Sequence, residues 1–365
     1  MLSARSAAAR RENSPPVLVS DHVDGRSRSA VAAVRALAHA GHRPLVTVSG
    51  GRSATAASRS CAGVLRVPAA GTPGHRRTIE RYLAEHPGSV VLPASDAVLV
   101  ELGFPGAHLV DKSALPKLAA DAGLSVPATR EFASGAALLA AADELEYPVV
   151  VKAAVKTGTG DNTRRVDSAD DLADVGDVPG AVVAQPFATG AMRAVCGVVH
   201  EGRLLAAVHQ TYVRIWPPGC GTASAAITTA PDLDLEDRLP RLLSGHAGVF
   251  QVQLIGDQVI DVNPRVYGSL PLAVAAGANL PAIAYRAAVG LAPPGLVRGR
   301  EGVRYRWLEG DVRRVLHDLR SGALTPWAAV RAIRPYRGTA HSIESLRDPG
   351  PGLLRLLDAA SRKRT

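Results

Sequence analysis

Polar side chains that could bind a metal ion interrupt two neighbouring apolar segments. Gln251 and Gln253 lie two residues apart in the first segment, and Asp261 and Asn263 lie two apart at the end of the second. In a β-strand, residues two apart share a face. Amide and carboxylate oxygens suit Mg²⁺, which keeps several waters and takes further ligands from substrate phosphates. Arg265 follows with a planar fork that suits phosphate, so these residue types predict Mg²⁺–phosphate chemistry.

A β-hairpin is the element that must position these side chains. Val249–Ile255 and Gln258–Val262 have the composition of strands, and Gly256-Asp257 between them is a strong signal for a tight hairpin turn. We call this segment the polar hairpin, and it should bring the polar ends of its two strands together. The alternative is a strand that ends in an Asn-Pro turn, with its polar side chains in solvent.

At these residues the sequence resembles the ATP-grasp superfamily, and more narrowly the branch typified by the carbamoyl phosphate synthetase large subunit. In that branch the metal-binding hairpin carries Gln on one strand and Glu-x-Asn-Pro-Arg on the other. Gln253, Asp261, Asn263 and Arg265 fall on those positions, and Asp261 is one methylene shorter than the usual Glu. The resemblance implies that the first three bind Mg²⁺ or Mn²⁺ and that Arg265 acts on the transferred phosphoryl group.

A second signal is a lysine in an apolar strand. Lys152 lies within Val149–Ala153 and precedes a loop that contains Gly158 and Gly160. A buried lysine needs an anion or must extend to solvent, and glycines let backbone N–H groups approach phosphate oxygens. This pair of features resembles the ATP-grasp lid, which implies that Lys152, Gly158 and Gly160 bind ATP.

Other ATP-binding positions follow from the resemblance alone. Lys112 matches the lysine of the family's Asp-Lys helix, although a lysine in solvent is the alternative. Gln185 and Phe187 match the hinge strand that holds the adenine. The family's ribose-binding Glu has no evident counterpart, so the identity of the nucleotide rests on the resemblance.

Arg214 lies in a polar, glycine-containing stretch at residues 209–224. In related ligases this region lines the triphosphate, which implies contact between Arg214 and the γ-phosphate or acyl phosphate. A solvent-facing arginine in a hinge loop is equally consistent with the sequence.

Strands alternate with helices at the start of the chain. Short apolar runs at residues 17–20, 45–48, 63–67 and 90–92 are separated by helical patterns, which predicts a parallel sheet. No Gly-x-Gly-x-x-Gly follows the first strand, so a dinucleotide site is not supported. Ser95 and Asp96 follow the fourth strand, at the sheet edge where substrates bind in such folds.

These patterns, with the resemblance, predict an α/β protein. A Rossmann-like domain at 15–111 precedes a two-subdomain ATP-grasp fold at 112–292, whose lid at about 124–187 is α+β. Residues 1–14 are expected to be a disordered leader. Residues 293–365 are expected to be a helical extension anchored by Trp307 and Trp327.

Composition excludes several classes of protein. The net charge is +9, but the arginines are scattered and no basic run is interleaved with aromatics, which argues against nucleic acid. No apolar run approaches the roughly 20 residues of a membrane span. Three widely spaced cysteines argue against a disulfide framework and favour the cytoplasm.

The resemblance implies an ATP-dependent carboxylate–amine ligase. Its substrates would be ATP, a small carboxylate and an amine, with an amino acid as the first choice, and a homodimer is the default assembly. Two alternatives remain open, which are carboxyphosphate chemistry of the carbamoyl-phosphate type and a nucleotide-binding protein without catalysis.

Overall fold

The computed structural model describes residues 15–20, 27–155, 163–175, 178 and 180–362. The leader predicted at residues 1–14 and the loop glycines Gly158 and Gly160 lie outside these residues. In the described part of the chain, no helix combines the length and apolarity that crossing a bilayer requires. None of the three cysteines forms a disulfide.

The first domain is a four-stranded parallel sheet with the strand order β3-β2-β1-β4. Its elements are β1 (Val17–Ser20), α1 (Arg28–His39), β2 (Pro44–Val48), β3 (Gly63–Arg66), α2 (Pro73–Glu85), β4 (Val90–Pro93) and α3 (Asp96–Glu101). Ser27 caps α1, since its hydroxyl accepts a hydrogen bond from Ala30 N. The predicted Rossmann-like arrangement is confirmed.

The lid is a separate antiparallel sheet with the order β5-β8-β6-β7. Its elements, with the preceding helix, are α4 (Leu115–Asp121), β5 (Arg130–Phe132), α5 (Gly135–Ala140), β6 (Val149–Ala153), β7 (Thr163–Val166) and β8 (Val182–Pro186), with 3₁₀ turns at 107–110, 142–144 and 170–175. Leu138, Val151 and Val182 belong to a separate hydrophobic core that lies within the lid. The lid is therefore an α+β subdomain, as predicted.

The main sheet has eight strands in the order β13-β12-β9-β10-β11-β15-β16, with β14 beside β10. Its first elements are β9 (Met192–His200), β10 (Arg203–Trp216), β11 (Thr222–Thr228), α6 (Leu233–Leu242), β12 (Gly248–Ile255), β13 (Gln258–Asn263), α7 (Leu270–Ala275), α8 (Leu280–Ala288), β14 (Val297–Arg298) and β15 (Arg304–Arg306). Helices α4 and α6 cover one face of the sheet, and α1, α7 and α8 cover the other. Because α1 belongs to the first domain, this packing fixes that domain against the sheet.

The C-terminal region contains both helices and strands. Its last elements are α9 (Leu308–Arg320), α10 (Pro326–Ile333), β16 (Ala340–His341) and α11 (Gly350–Arg362). The region 293–365 therefore has the predicted helices, but β14, β15 and β16 also extend the main sheet across the predicted boundary. Trp307 is buried as expected, whereas Trp327 is 72% exposed and is therefore not the buried anchor that the sequence predicts. Strands of two or three residues are too short to show a periodic pattern.

Candidate active site

A cavity of about 250 Å³ lies where the first domain, the lid and the main sheet meet. Its wall contains eight of the eleven residues that the sequence predicts to be catalytic, ATP-binding or metal-binding, namely Lys112, Lys152, Gln185, Phe187, Gln253, Asp261, Asn263 and Arg265. Asp96 of the first domain lines the same cavity. The fold thus gathers side chains from distant parts of the chain into one place.

The polar hairpin is formed by β12 and β13, and a register shift between Gln253 and Leu254 decides which residues of the two strands face each other. Gln251 faces Asn263 across the two strands, and Gln253 faces Asp261. Asn263 Nδ2 donates a hydrogen bond of 2.8 Å to Asp261 Oδ2. One carboxylate and three amides therefore cluster on one part of the sheet.

The donor set of the polar hairpin fits a hard cation. Gln253 Nε2 donates to Tyr212 OH at 2.9 Å, and no donor in the described part of the chain reaches the amide oxygen of Gln253. Asn263 Oδ1 accepts from Arg265 Nη2 at 2.7 Å and Asp261 Oδ2 accepts from Asn263 Nδ2, and each of these oxygens keeps a further lone pair. The oxygens of Gln253, Asp261 and Asn263 suit Mg²⁺ that shares its other positions with phosphates and water. Across the described residues, no three His, Cys, Asp or Glu residues cluster as a zinc site would require.

Two lysines lie near the Asp261 carboxylate. Lys112 Nζ lies 3.4 Å from Asp261 Oδ1. Lys152 is buried, and its ammonium donates to Gln185 Oε1 at 3.0 Å and to Ile260 O at 2.9 Å. Burial lowers the pKa of Lys152, the Asp261 charge opposes that shift, and the Lys112 charge adds to it. An anion in the cavity would stabilise a buried cation whose two hydrogen-bond partners are neutral.

Gln185 and Phe187 line the cavity at the lid. The Gln185 amide has a partner at each end, because its oxygen accepts from Lys152 and its nitrogen donates to Thr129 Oγ1 at 2.9 Å. In this arrangement Gln185 holds the Lys152 ammonium in place. The Arg165 guanidinium of β7 lies 4.2 Å from the centroid of the Phe187 ring, which directly follows β8, in a cation–π contact.

Arg265 is held in place from two domains. Its Nε and Nη2 donate to the two Asp96 carboxylate oxygens at 2.6 and 3.1 Å. Its Nη1 donates to Val266 O at 3.1 Å, and Nη2 also donates to Asn263. Burial alone would lower the pKa of Arg265, but the Asp96 carboxylate more than offsets it and the pKa is raised. Four of its five N–H groups are engaged, so the guanidinium is oriented by protein groups before any substrate binds.

Comparison with known proteins finds this architecture in several solved structures. No protein-family model matches the sequence, and no curated protein matches it. Carboxyaminoimidazole ribonucleotide synthase from Aspergillus clavatus, complexed with ATP, aligns with a TM-score of 0.63 at 16% identity over 80% of this chain and 81% of that one. L-amino acid ligase from Bacillus licheniformis aligns with a TM-score of 0.54 at 17% identity, covering 75% and 74% of the two chains. Biotin carboxylase from Campylobacter jejuni aligns with a TM-score of 0.57 at 15% identity, over 77% of this chain and 72% of that one.

The chain has the ATP-grasp fold. The Rossmann-like first domain, the α+β lid and the main sheet are the parts that the sequence predicts for this fold. Of the predicted site residues that line the cavity, Lys152, Gln185 and Phe187 come from the lid. Lys112 comes from the segment before α4, and the remaining residues come from the polar hairpin and the residues that directly follow it.

Arg214 lies elsewhere in the ATP-grasp fold. It is not part of the cavity wall, and its Nε and Nη2 donate to the two Asp311 carboxylate oxygens at 2.6 and 2.9 Å. Asp311 is fully buried and also pairs with Arg306 at 3.0 Å. Arg214 therefore joins β10 to α9, and its placement does not support the predicted contact with phosphate.

Tyr212 is a site residue that sequence reasoning missed. Its hydroxyl accepts from Gln253 and, at 3.3 Å, from Gln251, so it orients both amides of β12. Burial raises the pKa of Tyr212 well above its usual value, which keeps the phenol neutral. A tyrosine inside an apolar strand is the only trace of this role in the sequence, and it is as common in ordinary cores.

Proposed function

We propose that this protein is an ATP-dependent carboxylate–amine ligase. The observation that carries the proposal is the cavity in which Gln253 and Asp261 lie beside Lys112 and Lys152. The fold is consistent with it, since solved structures of similar fold include an L-amino acid ligase and enzymes complexed with ATP or ADP. The cytoplasm is the proposed location.

The proposed reaction has two steps. A carboxylate oxygen forms a bond to the γ-phosphorus of ATP, and the bond from that phosphorus to the bridging oxygen breaks to release ADP. The amine nitrogen then bonds to the acyl carbon, the carbon–oxygen bond to phosphate breaks, and the amine proton passes to water. Both reactants of the first step are anions, so the step needs concentrated positive charge rather than a side-chain nucleophile.

The cavity residues have matching roles in this proposal. Lys112 and Lys152 bind the phosphates, and Gln185 holds Lys152 in position. Mg²⁺ or Mn²⁺ bound by Gln253, Asp261 and Asn263 would neutralise the developing charge on the phosphates. Arg265 faces the cavity in an orientation that Asp96 fixes.

The test combines binding and turnover. Thermal unfolding is measured with and without Mg-ATP on the wild type, on Asp261→Asn and on Asp257→Asn, whose side chain lies in the turn of the same hairpin and is 96% exposed. Ligand at about 100 times its dissociation constant should add about 2.7 kcal/mol. We expect the stabilisation to be lost in Asp261→Asn and kept in Asp257→Asn. No shift in the wild type at millimolar Mg-ATP would refute the nucleotide site.

Turnover separates the ligase from the two alternatives. A ligase releases ADP only when a carboxylate and an amine are both supplied. ADP release with bicarbonate as the only acid would indicate carboxyphosphate chemistry. The structural comparisons do not decide between this chemistry and the ligase reaction, because a carboxylase and an amino acid ligase align with similar TM-scores. Mg-ATP binding without ADP release from any substrate pool would indicate a nucleotide-binding protein.

A further inference from the structure

A second cavity lies between the first domain and the main sheet. Its volume of about 410 Å³ exceeds the 250 Å³ of the candidate active site and falls in the range of small-molecule sites. On one side it is lined by β4 and α3 of the first domain, and on the other by α8 and the start of β12. Among the described residues, Arg265 alone lines both cavities.

The two cavities lie on the same face of β12. Residues two apart in a strand share a face, so Val249 of the second cavity shares a face with Gln251 and Gln253 of the candidate active site. The four-residue step from Val249 to Gln253 spans roughly 13 Å. The second cavity is therefore a neighbour of the candidate active site and not a part of it.

The side chains around the second cavity are mostly apolar. They include Val90, Leu99, Phe104, Val198, Ala284 and Ala287. Val90 and Phe104 are only half-buried, so part of this apolar surface is open to a ligand. Removing apolar surface from water is favourable for the wall and for the molecule that covers it. This wall favours a ligand with an apolar body.

The titratable groups on the same wall are all basic. His200, His246 and Arg265 line the second cavity, and its described lining residues include no Asp or Glu. Asp96, the partner of Arg265, lines the candidate active site instead. The His200 ring makes no hydrogen bond within the described part of the chain, and Arg265 Nη1, which donates to Val266 O, keeps one N–H. Three bases without an acid favour an anionic group on the ligand.

The buried ring of His246 gives an independent indication of an anion. Its Nδ1 lies 3.1 Å from Pro105 O, and its Nε2 lies 3.1 Å from Val249 O. A neutral imidazole has one N–H, so only the imidazolium can donate to both carbonyls. Burial lowers the pKa of His246, and the two hydrogen bonds to the backbone oppose this shift. An anion in the cavity would stabilise the imidazolium and so complete both hydrogen bonds.

The free edge of β4 adds a main-chain donor. β4 is the edge strand of its sheet, and Val90 N donates to Pro16 O on the side of β1. Because successive residues of a strand direct their N–H groups to opposite sides, Val91 N–H is directed to the other edge. At that edge Pro93 O accepts from Val266 N at 3.3 Å. Val91, Pro93 and Val266 all line the second cavity, so Val91 N–H is placed to donate to a ligand there.

We propose that the second cavity binds a small carboxylic acid with an apolar body, and that this bound anion weakens the binding of Mg-ATP. The carboxylate and the ATP phosphates carry like charges on two sides of Arg265, so each lowers the attraction of that guanidinium for the other. By linkage, Mg-ATP weakens the binding of the acid by the same factor. The coupling rests on the proposed nucleotide site, whereas the binding of the acid does not.

The first experiment measures binding by calorimetric titration without nucleotide. The probe is 3-phenylpropionate, and its control is 3-phenylpropanamide, which has the same body without the charge. We expect the wild type to bind the acid about tenfold or more tightly than the amide. His200→Phe, which removes the ring nitrogens, should reduce this preference.

A cavity-filling variant locates the site. Ala288 is an exposed residue of α8 that lines the second cavity, and Ala288→Trp should abolish binding of the acid. Ala120→Trp, at an exposed alanine of α4 outside the walls of both cavities, is the matched control and should bind as the wild type does. No binding by the wild type, equal affinity for acid and amide, or unchanged binding by Ala288→Trp would each overturn the site.

The second experiment measures the coupling. Mg-ATP is titrated with and without saturating 3-phenylpropionate, and we expect its Kd to rise about fivefold or more in the wild type and to stay constant in Ala288→Trp. An unchanged Kd in the wild type would overturn the coupling. ADP release that requires 3-phenylpropionate and an amine would show that the carboxylate reaches the phosphates, and would overturn a separate site. If Mg-ATP does not bind to the wild type, the nucleotide site and the coupling are both refuted, while the titration without nucleotide still decides whether the second cavity binds the acid.

Discussion

Arg265 and Asp96 form a two-bond ion pair that joins the end of the polar hairpin to the first domain. Both side chains are largely buried, and the pair contributes to the wall of the cavity. It therefore couples the relative position of two domains to the orientation of one cationic group in the candidate active site.

Asp96→Asn should destabilise the fold strongly, because it leaves the Arg265 charge buried without its counterion. Removing one member of a buried pair lowers the free energy of unfolding by about 3–5 kcal/mol. Urea unfolding measures the loss. Asp121→Asn is the control, since it breaks an exposed pair with Lys117 and should change stability by less than about 1 kcal/mol. Equal effects of the two substitutions would show that the Asp96 pair is not structural.

Arg214→Gln should reduce stability and leave ATP binding unchanged. The substitution removes two hydrogen bonds from the fully buried Asp311, which keeps only Arg306, so we expect a loss of about 2–4 kcal/mol. Stability is measured by urea unfolding, and the KM for ATP by ADP release. A large rise in KM for ATP at unchanged stability would restore the phosphate contact that the sequence predicts for Arg214.

Lys152→Gln should weaken ATP binding by about tenfold or more, because it removes a charged hydrogen-bond donor from the phosphate site. Lys117→Gln, at an exposed lysine, is the control and should have no effect. Titration with Mg-ATP measures the affinity of each protein. If both variants bind Mg-ATP as the wild type does, Lys152 serves only the packing of the lid.

The pH dependence of ATP binding should carry the signature of Lys152. Its pKa is lowered chiefly by burial, so the ammonium loses its proton at a lower pH than an ordinary lysine. We expect the ATP affinity of the wild type to fall as the pH rises through that lowered pKa, below about 10.4. Lys152→Gln should lack this fall. An affinity that stays constant up to the titration of ordinary lysines would contradict the assignment.

Asp348 should contribute stability that acid removes. Its carboxylate accepts from Ser58 Oγ at 2.6 Å, Arg59 N at 2.9 Å and Arg35 Nε at 2.8 Å, which ties the C-terminal region to the first domain. Burial alone would raise the pKa of Asp348, but these hydrogen bonds outweigh it and the pKa is lowered. The unfolded chain then binds this proton more readily than the folded one, so the contribution is complete above the unfolded pKa of about 3.9 and declines as the pH falls toward the folded value.

The corresponding measurement is the free energy of unfolding of the wild type and of Asp348→Asn as a function of pH. We expect the difference between the two proteins to be constant near neutrality and to shrink below about pH 4. Asp234→Asn, which breaks an exposed pair with Arg238, is the control. A difference that is independent of pH down to the acid transition would show that the Asp348 charge does not contribute.

Local sequence determined the polar hairpin and the first domain. Gln253 faces Asp261 because of a register shift next to Leu254, since continuing the pairing from the two-residue turn would set Gln253 opposite Ile260. The turn and the two strands themselves could be predicted, because Gly256-Asp257 marks the turn and the flanking segments are apolar. The same holds for the buried strands of the first domain, whose apolar runs and intervening helices specify a parallel sheet. These features depend on residues that are close together in the chain.

Only the tertiary structure decided which charged groups meet. The partners of Arg265, Arg214 and Arg28 lie far from them in the sequence, at Asp96, Asp311 and Thr222. β14, β15 and β16 form only because the main sheet offers edges for pairing, since two or three residues carry no pattern of their own. The sequence around an arginine does not distinguish a phosphate partner from a buried carboxylate partner. The partner is decided by the packing between elements that are distant in the sequence. Packing therefore paired Arg214 with the buried Asp311 and not with a phosphate site.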